Sequence, residues 1–231
     1  MENNTMKLTT FRDNAAQAHA LAERLVGDMR RLLKKKQRVT LCLPGGTTPG
    51  LLFDELSKME LDWKNVHVLL SDERWVSTAT ALSNEALLRN RLACNAAQDV
   101  NIVSYYSEAG SMESTIAGLN EQLGEWMPLD LCVLGMGLDG HFASLFPDII
   151  ELEAHLDPNG KSGLIAVDST SQPVMRVSLT LAALASAESH YLLVRGSDKK
   201  KVLETAALAC DLSLPISHLL AACPKIEIYY A

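Results

Sequence analysis

Apolar positions recur along this chain with two different periods, and their alternation sets out an α/β order. Leu21, Leu25, Met29 and Leu33 repeat every four residues, which predicts a helix from the N-cap Asp13 to about Lys36. A short extended start at residues 8–11 precedes it. Lys34, Lys35 and Lys36 fall where a helix end favours positive charge, and they read as a solvated terminus. Continuous apolar runs at Val39–Leu43, Val66–Leu70 and residues 100–103 and 129–134 read as strands. Helices are predicted over residues 50–59, with Pro49 in the first turn, and over 84–92 and 114–126. Beyond these, Leu164–Val167 and residues 175–179, 191–194 and 226–230 read as strands, and residues 198–209 as a helix.

Helices alternating with apolar strands predict a single α/β domain over residues 1–231. Its three-layer α/β/α architecture would hold a mostly parallel, Rossmann-like sheet with helices on both faces. Residues 157–173 are expected to form a small excursion from that sheet. Ligands of such sheets gather beyond the carboxyl ends of the strands. Three polar loops fall at that position: Pro44 to Pro49, Ser71 to Trp75, and Gly135 to His141.

Composition narrows the partners. With 48% hydrophobic residues in 231, the chain can bury a substantial core, and a formal net charge of -7 argues against a nucleic-acid partner. Any phosphate must be met by a few local cations and backbone donors. No run approaches the length that spans a bilayer, and residues 1–8 read as neither signal peptide nor anchor, so a cytoplasmic location is expected. The five cysteines are widely spaced with no Cys-x-x-Cys pair, as suits free thiols, and Cys42 and Cys132 lie inside apolar runs as core residues.

The loop Gly45-Gly46-Thr47-Thr48 before a helix offers unhindered amides and two hydroxyls suited to a phosphate. It lacks the Lys-Ser/Thr pair of a nucleotide-triphosphate loop. In Asp72-Glu73-Arg74, Asp72 could hold a hydroxyl or water and Arg74 could grip a phosphate as a fork; a solvated surface ion pair is the plainer alternative. In Gly135 through Pro147, three glycines allow close approach of a ligand. His141 is expected near a helix start, where a neutral imidazole able to act as a general base is favoured. Gly135, Gly137 and Gly140 fit the dinucleotide spacing, but the bulk of His141 would crowd a pyrophosphate. Ser144 lacks a nucleophile elbow. The other histidines, His19, His67, His155, His190 and His218, follow no ligand pattern, so neither a metal nor an organic cofactor is expected.

Taken together, Pro44 to Pro49, Ser71 to Val76, Ser83-Asn84, Gly135 through Pro147, Pro173 through Thr180 and Gly196 to Lys199 resemble the 6-phosphogluconolactonase family in order and spacing across nearly the whole chain. Glucosamine-6-phosphate deaminases share the fold and similar loops. They carry Tyr after Asp-Glu and Ala-Phe-Asn-Glu-Pro after the His, where this chain has Arg74 and Ala143-Ser144-Leu145-Phe146-Pro147. Pro44 stands where the family often has Ser, which removes one side-chain contact to phosphate.

The resemblance implies hydrolysis of 6-phosphogluconolactone in the oxidative pentose phosphate pathway, with His141 assisting the attack of water. Gly45, Gly46, Thr47, Thr48, Arg74, Arg176 and Lys199 would bind the substrate phosphate. Asp72 would orient the water, His141 or a sugar hydroxyl. The loop of Gly137, Asp139 and Gly140 would supply oxyanion donors. The partner would be a small sugar-phosphate lactone, acted on by a monomer or weak homodimer. Two rival readings are a deaminase or isomerase of amino-sugar phosphates, in which Asp72 abstracts a carbon-bound proton, and a non-catalytic sugar-phosphate sensor. The sensor would need a DNA-binding helix pair for which the predicted elements leave no room.

Overall fold

A computed structural model describes residues 7–231, so residues 1–6 of the polar start lie outside it. In chain order the strands are β1 (Lys7–Thr10), β2 (Val39–Leu43), β3 (Val66–Leu70), β4 (Asp72–Arg74), β5 (Asn101–Ile102), β6 (Leu131–Gly135), β7 (Leu164–Val167), β8 (Arg176–Leu179), β9 (Ser189–Val194) and β10 (Glu227–Tyr230). The helices are α1 (Asn14–Leu33), α2 (Gly50–Ser57), α3 (Asn84–Arg91), α4 (Met112–Gln122), α5 (Leu152–His155), α6 (Leu181–Ala185), α7 (Ser197–Ala206) and α8 (Ile216–Ala222).

Seven parallel strands form the main sheet in the order β1-β10-β9-β6-β2-β3-β5. Every residue of β2 is buried, so helices cover both faces of the sheet centre, as the unbroken apolar runs require. From β2 the chain builds outward through β3 to β5, then returns to lay β6 on the other side of β2 and continues through β9 to β10. Chain order therefore reverses between β2 and β6. At such a switch the loops leave the sheet in opposite directions and open a crevice.

Helix α1 starts where the sequence places it, with the Asp13 carboxylate accepting from the Ala16 amide at 2.8 Å. Leu21, Leu25 and Met29 are fully buried, while Leu33 is only half-buried and Leu32 takes the inner position. The lysine triplet is not wholly solvated. Lys36 pairs with the buried carboxylate of Asp130, which also accepts from the Thr40 amide at 2.7 Å and so fastens the end of α1 to the start of β2 and β6. Pro49 sits one residue before α2, at the N-cap.

The excursion is larger than residues 157–173. Strands β7 and β8, read from the sequence simply as strands, pair with β4 in a separate antiparallel sheet of order β4-β8-β7. The triplet Asp72-Glu73-Arg74 has no apolar period, so nothing local marks it as a strand; its hydrogen-bonding partner lies a hundred residues further on. This pairing sets Asp72 opposite Ser178 and Arg74 opposite Arg176, and so brings two guanidinium-bearing residues side by side at the edge of the crevice.

Replacing Asp130 with Ala leaves the Thr40 amide and Lys36 without their acceptor, and should lower unfolding free energy by about 1–3 kcal/mol. Urea denaturation measures it; an unchanged midpoint would contradict this role.

Candidate active site

The three polar loops meet in one cleft of about 220 Å³ beyond the carboxyl ends of β2, β3 and β6. Gly45, Gly46, Thr47, Thr48, Asp72, Arg74, Gly137, His141, Arg176 and Lys199 all line it. Asp139 and Gly140 do not; they stand behind His141. The cleft also takes in Asn84, Ser71, Met136 and Ala143. All four lie in segments the sequence singled out, Ser71 in the second loop, Met136 and Ala143 in the third and Asn84 in the Ser-Asn pair, though none was named there as a site residue.

On one wall, the turn after β2 passes through Gly46 at φ +84°, a left-handed conformation that glycine adopts without strain. The amides of Gly46, Thr47 and Thr48 donate to no protein acceptor among the described residues, so they are open to an anion in the cleft. Arg74 stands beside them. Its Nη1 donates to the Leu82 carbonyl at 2.7 Å and to Asn84 Oδ1 at 3.0 Å, which fixes the guanidinium plane.

A buried carboxylate holds Arg176, and backbone carbonyls help hold the other cations. The Asp72 carboxylate accepts from Ser144 Oγ at 2.6 Å and Ser71 Oγ at 3.1 Å, and lies 3.5 Å from Arg176 Nη1. Arg176 also donates to Gln172 and lies over the Phe146 ring, 5.6 Å from its centroid. Burial pulls the Arg176 guanidinium below its ordinary value, against the attraction of Asp72. Lys199 donates to the Met136 carbonyl at 2.6 Å, and burial likewise lowers its ammonium although Asp139 opposes the shift. Cations held partly out of water gain more from an arriving anion than solvated ones do.

On the opposite wall, His141 Nδ1 lies 2.6 Å from Asp139 Oδ1, which also accepts from the His141 amide at 3.2 Å. Burial alone would raise the Asp139 carboxyl, but the bonds and charge of His141 and the nearby loop amides together outweigh it and set the carboxyl below the ordinary range. The imidazole packs on Phe146 at 4.4 Å between centroids, with its side chain 29% exposed. With Nδ1 taken by a carboxylate, Nε2 is the ring nitrogen left without a protein partner among the described residues, and His141 lines the cleft.

Three sequence expectations change here. No helix begins near His141: Phe142 to Leu145 form a tight turn with Ala143 at φ +48°, and Pro147 opposes helix just beyond. The Gly137 amide donates to the His141 carbonyl at 2.8 Å and the Gly140 amide to the Gly137 carbonyl at 3.3 Å. These two amides are engaged inside the loop, while the Asp139 amide, the third expected donor, has no backbone acceptor among the described residues. Gly137 instead makes room, since a Cβ there would lie 2.2 Å from His141 Nδ1 and 2.3 Å from Asp139 Oδ1. Finally, the residue bonded to His141 is Asp139, while Asp72 is engaged by Ser144 and Arg176. The Asp-Gly-His spacing, with a carboxylate two residues before the imidazole, was the signal that could have found this pair.

Fixed cations and free amides facing a carboxylate-held imidazole equip a fold of this kind for acid–base chemistry on a small anionic substrate, which is the work of an α/β enzyme. Residues 12–226 match the family described as glucosamine-6-phosphate isomerases/6-phosphogluconolactonase, and the chain belongs to that family. It is 37% identical over 224 residues to a 6-phosphogluconolactonase of Mesorhizobium japonicum, covering 96% of this chain and 93% of that one. It is 35% identical over 217 residues to a 6-phosphogluconolactonase of Pseudomonas aeruginosa, covering 93% and 91%. The crystal structure of a 6-phosphogluconolactonase from Shewanella baltica superimposes with a TM-score of 0.89 at 28% identity, over 97% of each chain.

Inorganic phosphate at roughly tenfold its dissociation constant should raise the melting temperature by about 3–6 °C. A lowered ammonium loses its proton at a lower pH than a free lysine does, so the part of this rise that depends on Lys199 is present at neutral pH and fades as pH climbs. Thermal melts of wild type and Lys199→Met at neutral and alkaline pH check it. Equal responses of both proteins at neutral pH would contradict it.

Proposed function

We propose that the protein hydrolyses 6-phosphogluconolactone to 6-phosphogluconate, the lactone-opening step of the oxidative pentose phosphate pathway. Family membership and the curated lactonases aligned over nearly the whole chain support the reaction. The observation that carries the mechanism is the 2.6 Å contact between His141 Nδ1 and Asp139, which leaves Nε2 as the available nitrogen of a residue lining the cleft with the cations.

The substrate phosphate binds to the open amides and hydroxyls of Gly46, Thr47 and Thr48 together with Arg74, Arg176 and Lys199, Gly45 giving the turn its close approach. This places the far end of the sugar ring against His141. With Nδ1–H donating to Asp139, Nε2 carries a lone pair and takes a proton from water as the water oxygen bonds to the lactone carbonyl carbon. Positive charge around the cleft offsets the negative charge that develops on the carbonyl oxygen. The carbonyl then re-forms, the bond to the ring oxygen breaks, and Nε2–H returns the proton to that oxygen. Atoms balance with water as the only co-reactant.

Asp72 keeps Arg176 and Ser144 in place and orients a substrate hydroxyl. Its engagement by both weighs against the deaminase reading, in which the same carboxylate must be free to remove a proton from carbon. On this reading the protein works as a monomer or weak homodimer in the cytoplasm.

Acid release from freshly made 6-phosphogluconolactone, followed in a lightly buffered solution, measures turnover. His141→Ala should lower kcat on the order of 100-fold or more. Gly137→Ala, whose added methyl displaces His141 from Asp139, should lower kcat by about tenfold or more while leaving KM nearly unchanged. Near-normal turnover in His141→Ala would refute the assignment, and ammonia release from glucosamine 6-phosphate by the wild type would favour the rival reaction.

A further inference from the structure

Glu73 takes no part in the mechanism above, yet it is the most completely buried acid of the cleft region, with 0% exposure. Its carboxylate accepts four hydrogen bonds: from the Arg74 amide at 2.6 Å, Ser83 Oγ at 2.9 Å, the Asn84 amide at 2.7 Å and the Glu85 amide at 2.7 Å. It therefore fastens the first turn of α3 to β4 across the intervening loop. Burial raises its carboxyl above the ordinary value even against these four donors.

What the fastened turn presents to the cleft is Asn84. Its Nδ2 donates to the Asp72 carbonyl at 2.8 Å, and its Oδ1 accepts from Arg74 Nη1 at 3.0 Å. The Gly45 backbone presses on the same carboxamide, for a Cβ at Gly45 would lie 2.0 Å from Asn84 Cγ. One amide thus touches the turn after β2, the β4 backbone and the Arg74 guanidinium. With both carboxamide ends bonded, its orientation is fixed, so Oδ1 must face Arg74.

We propose that Glu73 and Asn84 are positioning residues for substrate recognition: Glu73 anchors the α3 turn, and Asn84, held by that turn, aims Arg74 at the phosphate of the substrate. This rests on the lactonase reading and on Arg74 as part of the phosphate clamp. The pair acts on the phosphate side of the cleft, chiefly through Arg74, and contacts neither His141 nor Asp139, so its loss should weaken binding of phosphorylated substrate without slowing the chemical step. A residue important only for folding would not divide the effects in that way.

The test is a double-mutant cycle on KM and kcat, run with 6-phosphogluconolactone and with unphosphorylated gluconolactone. Arg74→Ala comes first: it should raise KM for the phosphorylated lactone about tenfold or more and leave the unphosphorylated one nearly unaffected. If it does not, the clamp reading itself fails. Given that result, Asn84→Ala should raise the same KM by about three- to tenfold with kcat nearly unchanged, and the further rise on adding it to Arg74→Ala should be less than about twofold. Glu73→Gln should shift KM in the same direction. If that protein does not fold, as judged by circular dichroism, the Asn84 cycle alone decides. An Asn84→Ala effect that persists at full size in the Arg74→Ala background, that falls on kcat, or that is equal for both lactones would overturn the inference while leaving the lactonase reading intact.

Discussion

The reversal of chain order between β2 and β6 is the constraint on which the rest depends. Parallel strands buried on both faces leave only their ends for polar groups, and at the reversal the two neighbouring loops run apart. The turn after β2 gives the cleft its open amides, and the loop after β6 gives it the imidazole. Neither loop could face the other if the strands lay apart in the sheet. The small antiparallel sheet closes a third side, because pairing of β4 with β8 brings Arg74 and Arg176 to the same edge.

A protein with a net charge of -7 concentrates cations at that one place, and it does so with the buried acids Asp72 and Glu73 and the more exposed Asp139. Asp72 holds Arg176, Glu73 holds the turn that holds Arg74, and Asp139 lies between the influence of Lys199 and the ring of His141. Each carboxylate is bonded to several donors, so none is left as an uncompensated charge. The low polarisability of the surroundings then strengthens each attraction relative to water, and the substrate meets cations that are already oriented.

The main sheet was legible because its strands are unbroken apolar runs: Val39–Leu43 and Val66–Leu70 begin and end in the structure where the pattern places them. The loops at their carboxyl ends were legible for the same reason, and their meeting in one cleft followed from the fold class. Strand β4 was not, since Asp72-Glu73-Arg74 is polar and becomes a strand only through β8. The helix expected at His141 was an error of pattern: Ala143 takes a left-handed conformation that its residue type does not announce. Which carboxylate serves the imidazole was legible only in part: the Asp-Gly-His spacing points to Asp139, but Asp72 also follows a strand of the same sheet. Only coordinates reveal that Ser144 and Arg176 engage the first and leave the second to His141. The role of Glu73 was out of reach as well, because three of its four donors, Ser83, Asn84 and Glu85, sit ten and more residues away.

The central claim is that a single sugar spans the cleft with its phosphate on the turn after β2 and its carbonyl carbon beside His141. A crystal structure with 6-phosphogluconate bound measures this directly. The account predicts phosphate oxygens within about 3.2 Å of the Gly46 to Thr48 amides and the carboxylate within about 3.5 Å of His141 Nε2. A product lying the other way round, with phosphate against the imidazole, or one bound outside the cleft, would contradict it.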